Sequence, residues 1–299
     1  MPFFSIIIPT YNRAMFLHKA LESVINQTFD DWELIVIDDG STDDSKEVIL
    51  NYNNSKINYI YQTNLERSTA RNNGIQQAKG DYICFLDSDD YFHENHLQIL
   101  KNFIESTKDS VGVFMTNFEV RDEHDHFLKF IKAENLGEEP VIKIFEEYLT
   151  LSCLCCAHKN IFQEFLFNPE FSLWEDTHLW IRVLSKYPFY NIENATVTIT
   201  THNKSTVTEG FSSVKMKMVN QYIAAINDLF KNHRAILPVK ITDDHRINYI
   251  DSKLKMYLYQ SRQNKQYIIS YKIWCLSMLN KPSFYLIKEF FKIPLSFLL

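Results

Sequence analysis

The sequence is poor in glycine and cysteine. Only six of its 299 residues are glycine, and the loop at residues 9–12, after the first apolar run, is not a glycine-rich phosphate loop. The five cysteines are odd in number and lack framework spacing, which favours a reducing cytoplasm over a secreted, disulfide-stabilised fold. The apolar residues 3–9 have neither a basic flank nor a cleavage site, so we expect no signal peptide.

Charge is unevenly distributed along the chain. Residues 211–299 contain 14 Lys and Arg but 5 Asp and Glu, whereas residues 1–210 contain 17 and 32. The acidic part suits cation binding and argues against nucleic acid as a partner. The basic, aromatic end suits a membrane surface, or it is an ordinary helical surface that packs back on the rest. We predict two regions, residues 1–210 and 211–299.

Apolar runs alternate with amphipathic segments over the first 90 residues. This alternation predicts an α/β fold, with a parallel sheet and right-handed crossovers. The predicted strands are residues 3–8, 32–37, 57–61 and 82–86, and the predicted helices are residues 16–26, 42–49 and 68–79.

The pattern is less regular from residue 90 to residue 210, and only helices are indicated after that. The predicted strands are residues 111–118, 127–131 (pairing back as a hairpin) and 197–200, and the predicted helices are residues 142–151, 177–186, 215–232, 244–261 and 264–279.

A cluster of carboxylates follows the strand at residues 82–86. Asp87, Asp89 and Asp90 stand where open α/β sheets bind ligands, beyond the carboxyl ends of the strands. Carboxylates spaced i and i+2 are hard oxygen ligands that suit Mg²⁺ or Mn²⁺. The alternative is a solvated acidic turn.

Five segments, taken in order and spacing, resemble the family 2 inverting glycosyltransferases, which have the GT-A fold. The resemblance is dense over residues 3–95, thinner to about residue 208 and absent afterwards. The segments are residues 6–13 (with Pro9-Thr10-Tyr11-Asn12-Arg13), 27–43 (with Asp38-Asp39-Gly40), 70–75 (with Arg71-Asn72), 78–83 and 87–90. It implies a Rossmann-like, mostly parallel central sheet flanked by helices, with a C-terminal helical extension.

The resemblance implies a nucleotide-sugar donor site. Asp39, with Asp38 close by, would accept a hydrogen bond from uracil N3–H. Tyr11 would stack on the base, and Arg13 or Arg71 would meet phosphate oxygens. Alternatively, Tyr11 is a packing aromatic and Arg71 a helix-surface charge. The full predicted donor set is Pro9, Thr10, Tyr11, Arg13, Asp38, Asp39, Arg71, Asn72, Asp87 and Ser88.

The resemblance also implies a metal site for Mn²⁺ or Mg²⁺. Asp89 would ligate the cation directly, and Asp87 would touch the ribose or the metal. His202 would ligate the metal or touch the diphosphate. Thr200 stands where an arginine is frequent in the family, which leaves open that His202 is a surface-loop histidine.

Glu175 and Asp176 resemble the family's Glu-Asp pair at a helix start. Asp176 would take the proton from an acceptor hydroxyl, and a single base of this kind gives direct displacement with inversion. The alternative is a helix N-cap stabilised by the helix dipole. Trp174 could offer an apolar face to a sugar, whereas Trp180 is predicted to lie in the core.

The cysteines at residues 153–156 and His158 are too tightly spaced for the usual zinc pattern. We expect them to pack a strand or to line the acceptor side.

The predicted function is therefore transfer of a hexose or N-acetylhexosamine from a nucleotide-diphosphate sugar, with UDP favoured by resemblance. The acceptor is a hydroxyl of a saccharide or lipid-linked saccharide, of the bacterial surface-polysaccharide type. The expected location is the cytoplasm, with peripheral contact of the C-terminal region to the membrane. A nucleotidyltransferase would need a glycine-rich phosphate loop near the first strand, which this sequence does not have. The remaining alternative is a catalytically silent nucleotide-sugar-binding or scaffold protein. The oligomeric state stays open.

Overall fold

A computed structural model describes residues 1–107, 111–152, 154–202, 213–290 and 292–293. The chain forms two compact units. The first comprises Met1–Pro140 and Leu151–Thr201, and the second comprises Val141–Thr150 and His202–Leu299. The short segment at residues 141–150 thus belongs with the C-terminal unit. The sequence-based division at residue 210 had placed this segment in the first region.

The first unit begins with four parallel strands connected by helices, in the spatial order β3-β2-β1-β4. The residues of β1, β2 and β4 are mostly buried and apolar because helices cover the faces of a parallel sheet, whereas those of β3 are partly or fully exposed. The strands are β1 (Phe4–Thr10), β2 (Trp32–Asp38), β3 (Ile57–Tyr61) and β4 (Tyr82–Phe85), and the helices are α1 (Ala14–Ile25), α2 (Ser45–Leu50) and α3 (Glu66–Gln77). The predicted α/β pattern is confirmed over this region.

The rest of the first unit extends the sheet and mixes parallel with antiparallel pairs. The elements are β5 (Tyr91–Phe92), α4 (His96–Ser106), β6 (Val113–Asp122), β7 (Phe127–Ile131), α5 (Pro140–Glu146, mostly in the second unit), β8 (Cys156–His158), a 3₁₀ turn (Lys159–Gln163), α6 (Glu175–Leu184) and β9 (Phe189–Thr201). Within the described residues the sheet has the order β3-β2-β1-β4-β8-β6-β9-β5, with β7 pairing with β6.

The predicted hairpin between β6 and β7 is confirmed. Strands β5 and β8, helix α4 and the 3₁₀ turn of this region were not predicted. Strand β8 is three residues long and is defined by its pairing with β4 and β6, so it has no period of its own to detect. Helix α4 buries Leu97, Leu100 and Ile104, a regular helical spacing that sequence inspection overlooked.

Within the described residues, the second unit contains four further helices, of which the first three lie close to the predicted bounds and the last was not predicted. They are α7 (Met216–Asn232), α8 (Asp243–Gln263), α9 (Tyr267–Asn280) and α10 (Phe284–Phe290). Helices α7 and α8 pack through two tyrosines, with the Tyr222 hydroxyl donating to the Tyr249 carbonyl at 2.7 Å. Among the described residues, no helix has both the length and the apolar character needed to cross a bilayer.

Candidate active site

Hydrogen bonds connect the loop after β1 to the loop after β2. The Asn12 amide N donates to Ser41 Oγ at 3.0 Å, and Asn12 Oδ1 accepts from the Thr42 amide at 2.8 Å. Asn12 adopts the left-handed conformation (φ 52°), which asparagine tolerates better than most residues. These bonds fix the loop that carries Tyr11, whose ring is exposed, and Arg13, which is half-buried.

The two aspartates at the end of β2 differ in how fully their carboxylates are used. Asp38 accepts from the Tyr59 hydroxyl and the Ser41 amide, each at 2.8 Å, through different oxygens. Asp39 uses only Oδ1, which accepts from Gln62 Nε2 at 2.6 Å and the Leu65 amide at 2.9 Å. Within the described part of the chain, Oδ2 of Asp39 accepts no hydrogen bond, so Asp39 keeps an acceptor for a ligand.

Gly40 permits the sharp turn after these aspartates. Its φ is +86°, and a Cβ there would lie 2.8 Å from the backbone N of Asn64. We expect Gly40→Ala to lower the free energy of unfolding by more than the ~1–2 kcal/mol of a left-handed L-residue. Gly137 is the matched control because it has φ +65° and no atom within 4 Å of a built Cβ. Denaturant midpoints measure both, and equal losses would contradict the steric argument.

The residues that follow β4 alternate in burial. Asp87 and Asp89 are half-buried, whereas Ser88 and Asp90 are buried. Asp90 Oδ1 accepts from the Thr200 amide at 2.9 Å, which fixes the end of β9 beside the cluster. Burial, then the charges of Asp89 and Asp87, raise the pKa of Asp90 well above its usual range. Three carboxyl groups therefore lie close enough at this edge of the sheet to influence one another's protonation.

Arg71 of α3 connects the carboxylate cluster to the start of α6. Its Nη2 donates to Asp87 Oδ1 and its Nη1 to Glu175 Oε1, both at 2.8 Å. Arg71 and Glu175 are buried, and Asp87 is half-buried. One guanidinium thus brings three separate segments, 71, 87 and 175, to one place. Arg71 lies between carboxylates rather than on a helix surface, and we refer to these three residues as the arginine bridge.

Asp176 follows Glu175 in the first turn of α6. Burial, then the charge of Glu175, raise the pKa of Asp176 to about 7, against lowering contributions from the Thr177 amide and Arg71. A carboxyl group with a pKa near neutrality can accept a proton during a reaction and release it afterwards. Trp174 caps this helix in the left-handed conformation (φ 68°), an uncommon backbone state for a bulky residue that recurs at functional sites.

The remaining predicted site residues fall in three settings. Asn72 exchanges two hydrogen bonds with the Phe167 backbone, at 2.8 and 3.0 Å, and so fixes α3 to the segment before α6. Pro9 and Thr10 end β1, and Thr10 is buried. His202 directly follows β9, is buried, and is grouped with the second unit. The metal role of His202 stays a prediction.

Sequence inspection missed two residues. Arg67 lies one turn before Arg71 on α3, is half-exposed, and its Nε is 3.9 Å from Glu175 Oε1. The i, i+4 spacing of the two arginines on one helix was the available signal. Asp90 was noted only as a flanking acid, yet it anchors β9.

The described cysteines of this region pack against the sheet, which is one of the two roles that the sequence predicted for them. Cys84 and Cys156 face each other across β4 and β8, and burial raises the pKa of Cys155 and Cys156 well above the usual range. Across the described ranges, which exclude Cys153, these side chains do not gather into a group of three metal ligands. Trp180 is fully buried, and its predicted core position is confirmed.

The chemistry of the Asp87 and Asp89 side chains fits a divalent cation. Both are half-buried carboxylates, two residues apart, at the same edge of the sheet. Mg²⁺ and Mn²⁺ prefer such oxygen ligands. The residues present therefore fit either ion.

Comparison with known sequences identifies the family. Residues 5–166, more than half of the chain, match the family described as Glycosyl transferase family 2. An uncharacterized glycosyltransferase of Rickettsia bellii is 36% identical over 184 residues, which cover 61% of this chain and 26% of that protein. A Campylobacter jejuni GalNAc(5)-diNAcBac-PP-undecaprenol beta-1,3-glucosyltransferase is 31% identical over 199 residues, 64% of this chain and 62% of that protein. The chain thus spans less than two thirds of both relatives.

Solved structures show the same fold at low sequence identity. S. aureus TarS 1–349 in complex with UDP-GlcNAc has a TM-score of 0.64 at 21% identity, covering 90% of this chain and 76% of that one. The mannosyltransferase PcManGT from Pyrobaculum calidifontis, in complex with GDP-Man and Mn²⁺, has a TM-score of 0.57 at 12% identity, covering 97% and 86%. The architecture is that of GT-A glycosyltransferases, as the sequence predicted. The chain belongs to glycosyl transferase family 2.

Proposed function

We propose that the chain is an inverting glycosyltransferase that moves a hexose or N-acetylhexosamine from a nucleotide-diphosphate sugar, with UDP favoured, to a hydroxyl of a saccharide or lipid-linked saccharide. The arginine bridge carries this proposal. Through it, Asp87 of the acid cluster after β4 and Glu175 at the start of α6 are paired with the same guanidinium. Donor and acceptor groups need that proximity to react.

The donor base and ribose are held at the ends of β1 and β2. Asp39 offers its Oδ2 to the N3–H of uracil, because its Oδ1 is already used within the protein. The exposed ring of Tyr11 stacks on the base. Arg13 and the half-exposed Arg67 are the cations for the diphosphate, since Arg71 is committed to the arginine bridge.

The transfer is a single displacement. The acceptor hydroxyl oxygen forms a bond to C1 of the sugar as its proton passes to the Asp176 carboxylate. The bond between C1 and the β-phosphate oxygen breaks, and its electron pair leaves with the nucleoside diphosphate. Attack from the face opposite the leaving group inverts C1, and Asp176 then returns the proton to solvent.

Asp89 and Asp87 would hold Mn²⁺ or Mg²⁺, which would neutralise the charge of the diphosphate. The ion would supply Lewis-acid stabilisation of the charge on the departing phosphate. The Mn²⁺ complex of the Pyrobaculum mannosyltransferase supports this assignment by analogy of fold.

The proposed acceptor and location rest on the name of one relative and on the charge of the C-terminal region. The Campylobacter relative bears a name that refers to an undecaprenol-linked saccharide. A lipid-linked acceptor in surface-polysaccharide synthesis, used at the cytoplasmic face of the membrane, agrees with this name and with the basic C-terminal region.

A melting-temperature panel tests the donor site. The protein is heated with UDP, GDP, dTDP or CDP, with and without Mn²⁺. A nucleotide at 100 times its Kd adds about 2.7 kcal/mol, a shift of a few degrees in a domain of this size. We expect the largest increase in melting temperature with UDP and Mn²⁺. Asp89→Asn should lose the part of this increase that depends on Mn²⁺, and Asp39→Asn should show a smaller increase.

The exposed Glu123 provides the control, since Glu123→Gln removes an acid elsewhere in the same unit. A shift that does not need Mn²⁺, or that survives in Asp89→Asn, would contradict the metal site. The absence of a shift with any nucleotide would contradict the donor site and favour the scaffold alternative.

A further inference from the structure

Helix α9 is apolar around most of its circumference, although the described residues cover only part of it. Its buried residues are Ser270, Ile273 and Ser277. On the adjoining side, Trp274 Nε1 donates to the Leu286 carbonyl at 2.7 Å, and its ring lies 4.7 Å from that of Phe290. A helix that is apolar all round normally contacts an apolar environment on every side.

The uncovered side of α9 forms a continuous stripe. At 100° per residue, Ile268, Tyr271, Lys272, Cys275 and Leu279 lie within one face opposite the buried serines. Ile268 is 60% exposed and Leu279 is 84% exposed. We call these five residues the α9 stripe. The stripe lies within the basic, aromatic end that the sequence suggested for a membrane surface, part of which is outside the described residues.

The surroundings of the α9 stripe are positively charged. From residue 252 to the C-terminus the sequence has eight Lys and Arg and a single acid, Glu289. Glu289 is buried and pairs with Arg262 and with Lys292, so it presents little negative charge to solvent. Exposed lysines stand before, within and after the helix, at Lys265, Lys272 and Lys281.

We propose that the α9 stripe docks on an anionic lipid surface, with its apolar side chains at the level of the acyl-chain boundary and the lysines at the headgroups. Exposed apolar side chains flanked by lysines bind membrane surfaces through apolar burial and attraction to anionic lipid. A second copy of the chain is a poorer occupant, because two strongly basic surfaces would face each other. The proposal does not rest on the donor or metal site.

Vesicle co-sedimentation tests the proposal on the whole chain. The protein is mixed with vesicles of phosphatidylcholine alone or of phosphatidylcholine and phosphatidylglycerol at 3:1. We expect at least tenfold stronger partitioning onto the anionic vesicles, weakened by added salt. The double variant Ile268→Glu/Leu279→Glu should lose at least tenfold of this binding.

Val239→Glu is the matched control, because Val239 is 90% exposed and lies between α7 and α8. It should bind vesicles like the unaltered protein, and melting curves establish that all variants fold. Equal binding to both vesicle types, no binding to either, or unchanged binding of the double variant would overturn the proposal. A wild-type dimer that the double variant converts to a monomer would assign the stripe to self-association instead.

Discussion

Replacing Asp176 by asparagine is expected to lower kcat/KM for sugar transfer by about 10³-fold, within the range that general-base catalysis contributes. Asparagine keeps the size of the side chain and can still accept from the Thr177 amide, which Asp176 Oδ1 does at 2.7 Å. It cannot take a proton from the acceptor. The Asp39 and Asp89 regions are untouched, so nucleotide-induced melting shifts should be retained.

Steady-state transfer assays and nucleotide melting shifts measured on the same preparation check this expectation. Glu123→Gln serves again as the exposed control and should transfer at the unaltered rate. If Asp176→Asn turned over normally, Asp176 would not be the base. If it lost both transfer and nucleotide binding, the substitution would have disturbed the fold of the site.

The pH dependence of the reaction should follow from the same residue. Since the pKa of Asp176 is raised to about 7, its basic form is depleted below that pH, and kcat/KM should fall tenfold per unit on the acidic side. The raised pKa also means that the folded chain holds a proton that the unfolded chain releases near pH 4. Ionisation of Asp176 therefore opposes folding as the pH rises from about 4 to about 7. Asp176→Asn should remove this part of the pH dependence of stability.

Removing the guanidinium of the arginine bridge should cost both stability and activity. Arg71→Met leaves Glu175 buried without its partner at 2.8 Å. Breaking a buried ion pair on one side typically costs 3–5 kcal/mol, and we expect about 3 kcal/mol because Asp87 is half-exposed. A melting temperature about 10 °C lower follows for a domain of this size. Transfer should fall at least tenfold as the carboxylates lose their fixed spacing.

The double variant Arg71→Met/Glu175→Gln separates these two effects. It removes the buried charge along with its partner, so thermal stability should largely return, while transfer should remain low because Asp87 and α6 are no longer joined. Arg71→Lys should recover only part of the activity, since an ammonium group cannot make the two-pronged contact. Full activity in the stabilised double variant would show that the bridge serves folding alone.

Local pattern determined much of the fold. The runs that form β1, β2 and β4 are continuous and β-branched or aromatic, so their burial between helices followed from composition. Helices α7, α8 and α9 of the second unit were located to within a few residues, whereas α10 was not predicted. Strands β5 and β8, which are two and three residues long, exist only because a neighbouring strand supplies their hydrogen bonds.

The sequence by itself determined which residue types stand at the sheet edge. Asp39, Asp87 and Asp89 follow strands whose carboxyl ends must share that edge in a parallel sheet. The tertiary structure decided how each is used. Which carboxylate oxygen stays available, which acid meets Arg71, and why Asp176 titrates near neutrality depend on burial and on neighbours up to 104 residues away in the chain. Desolvation and pairing are properties of a three-dimensional environment, and residue order alone does not specify them.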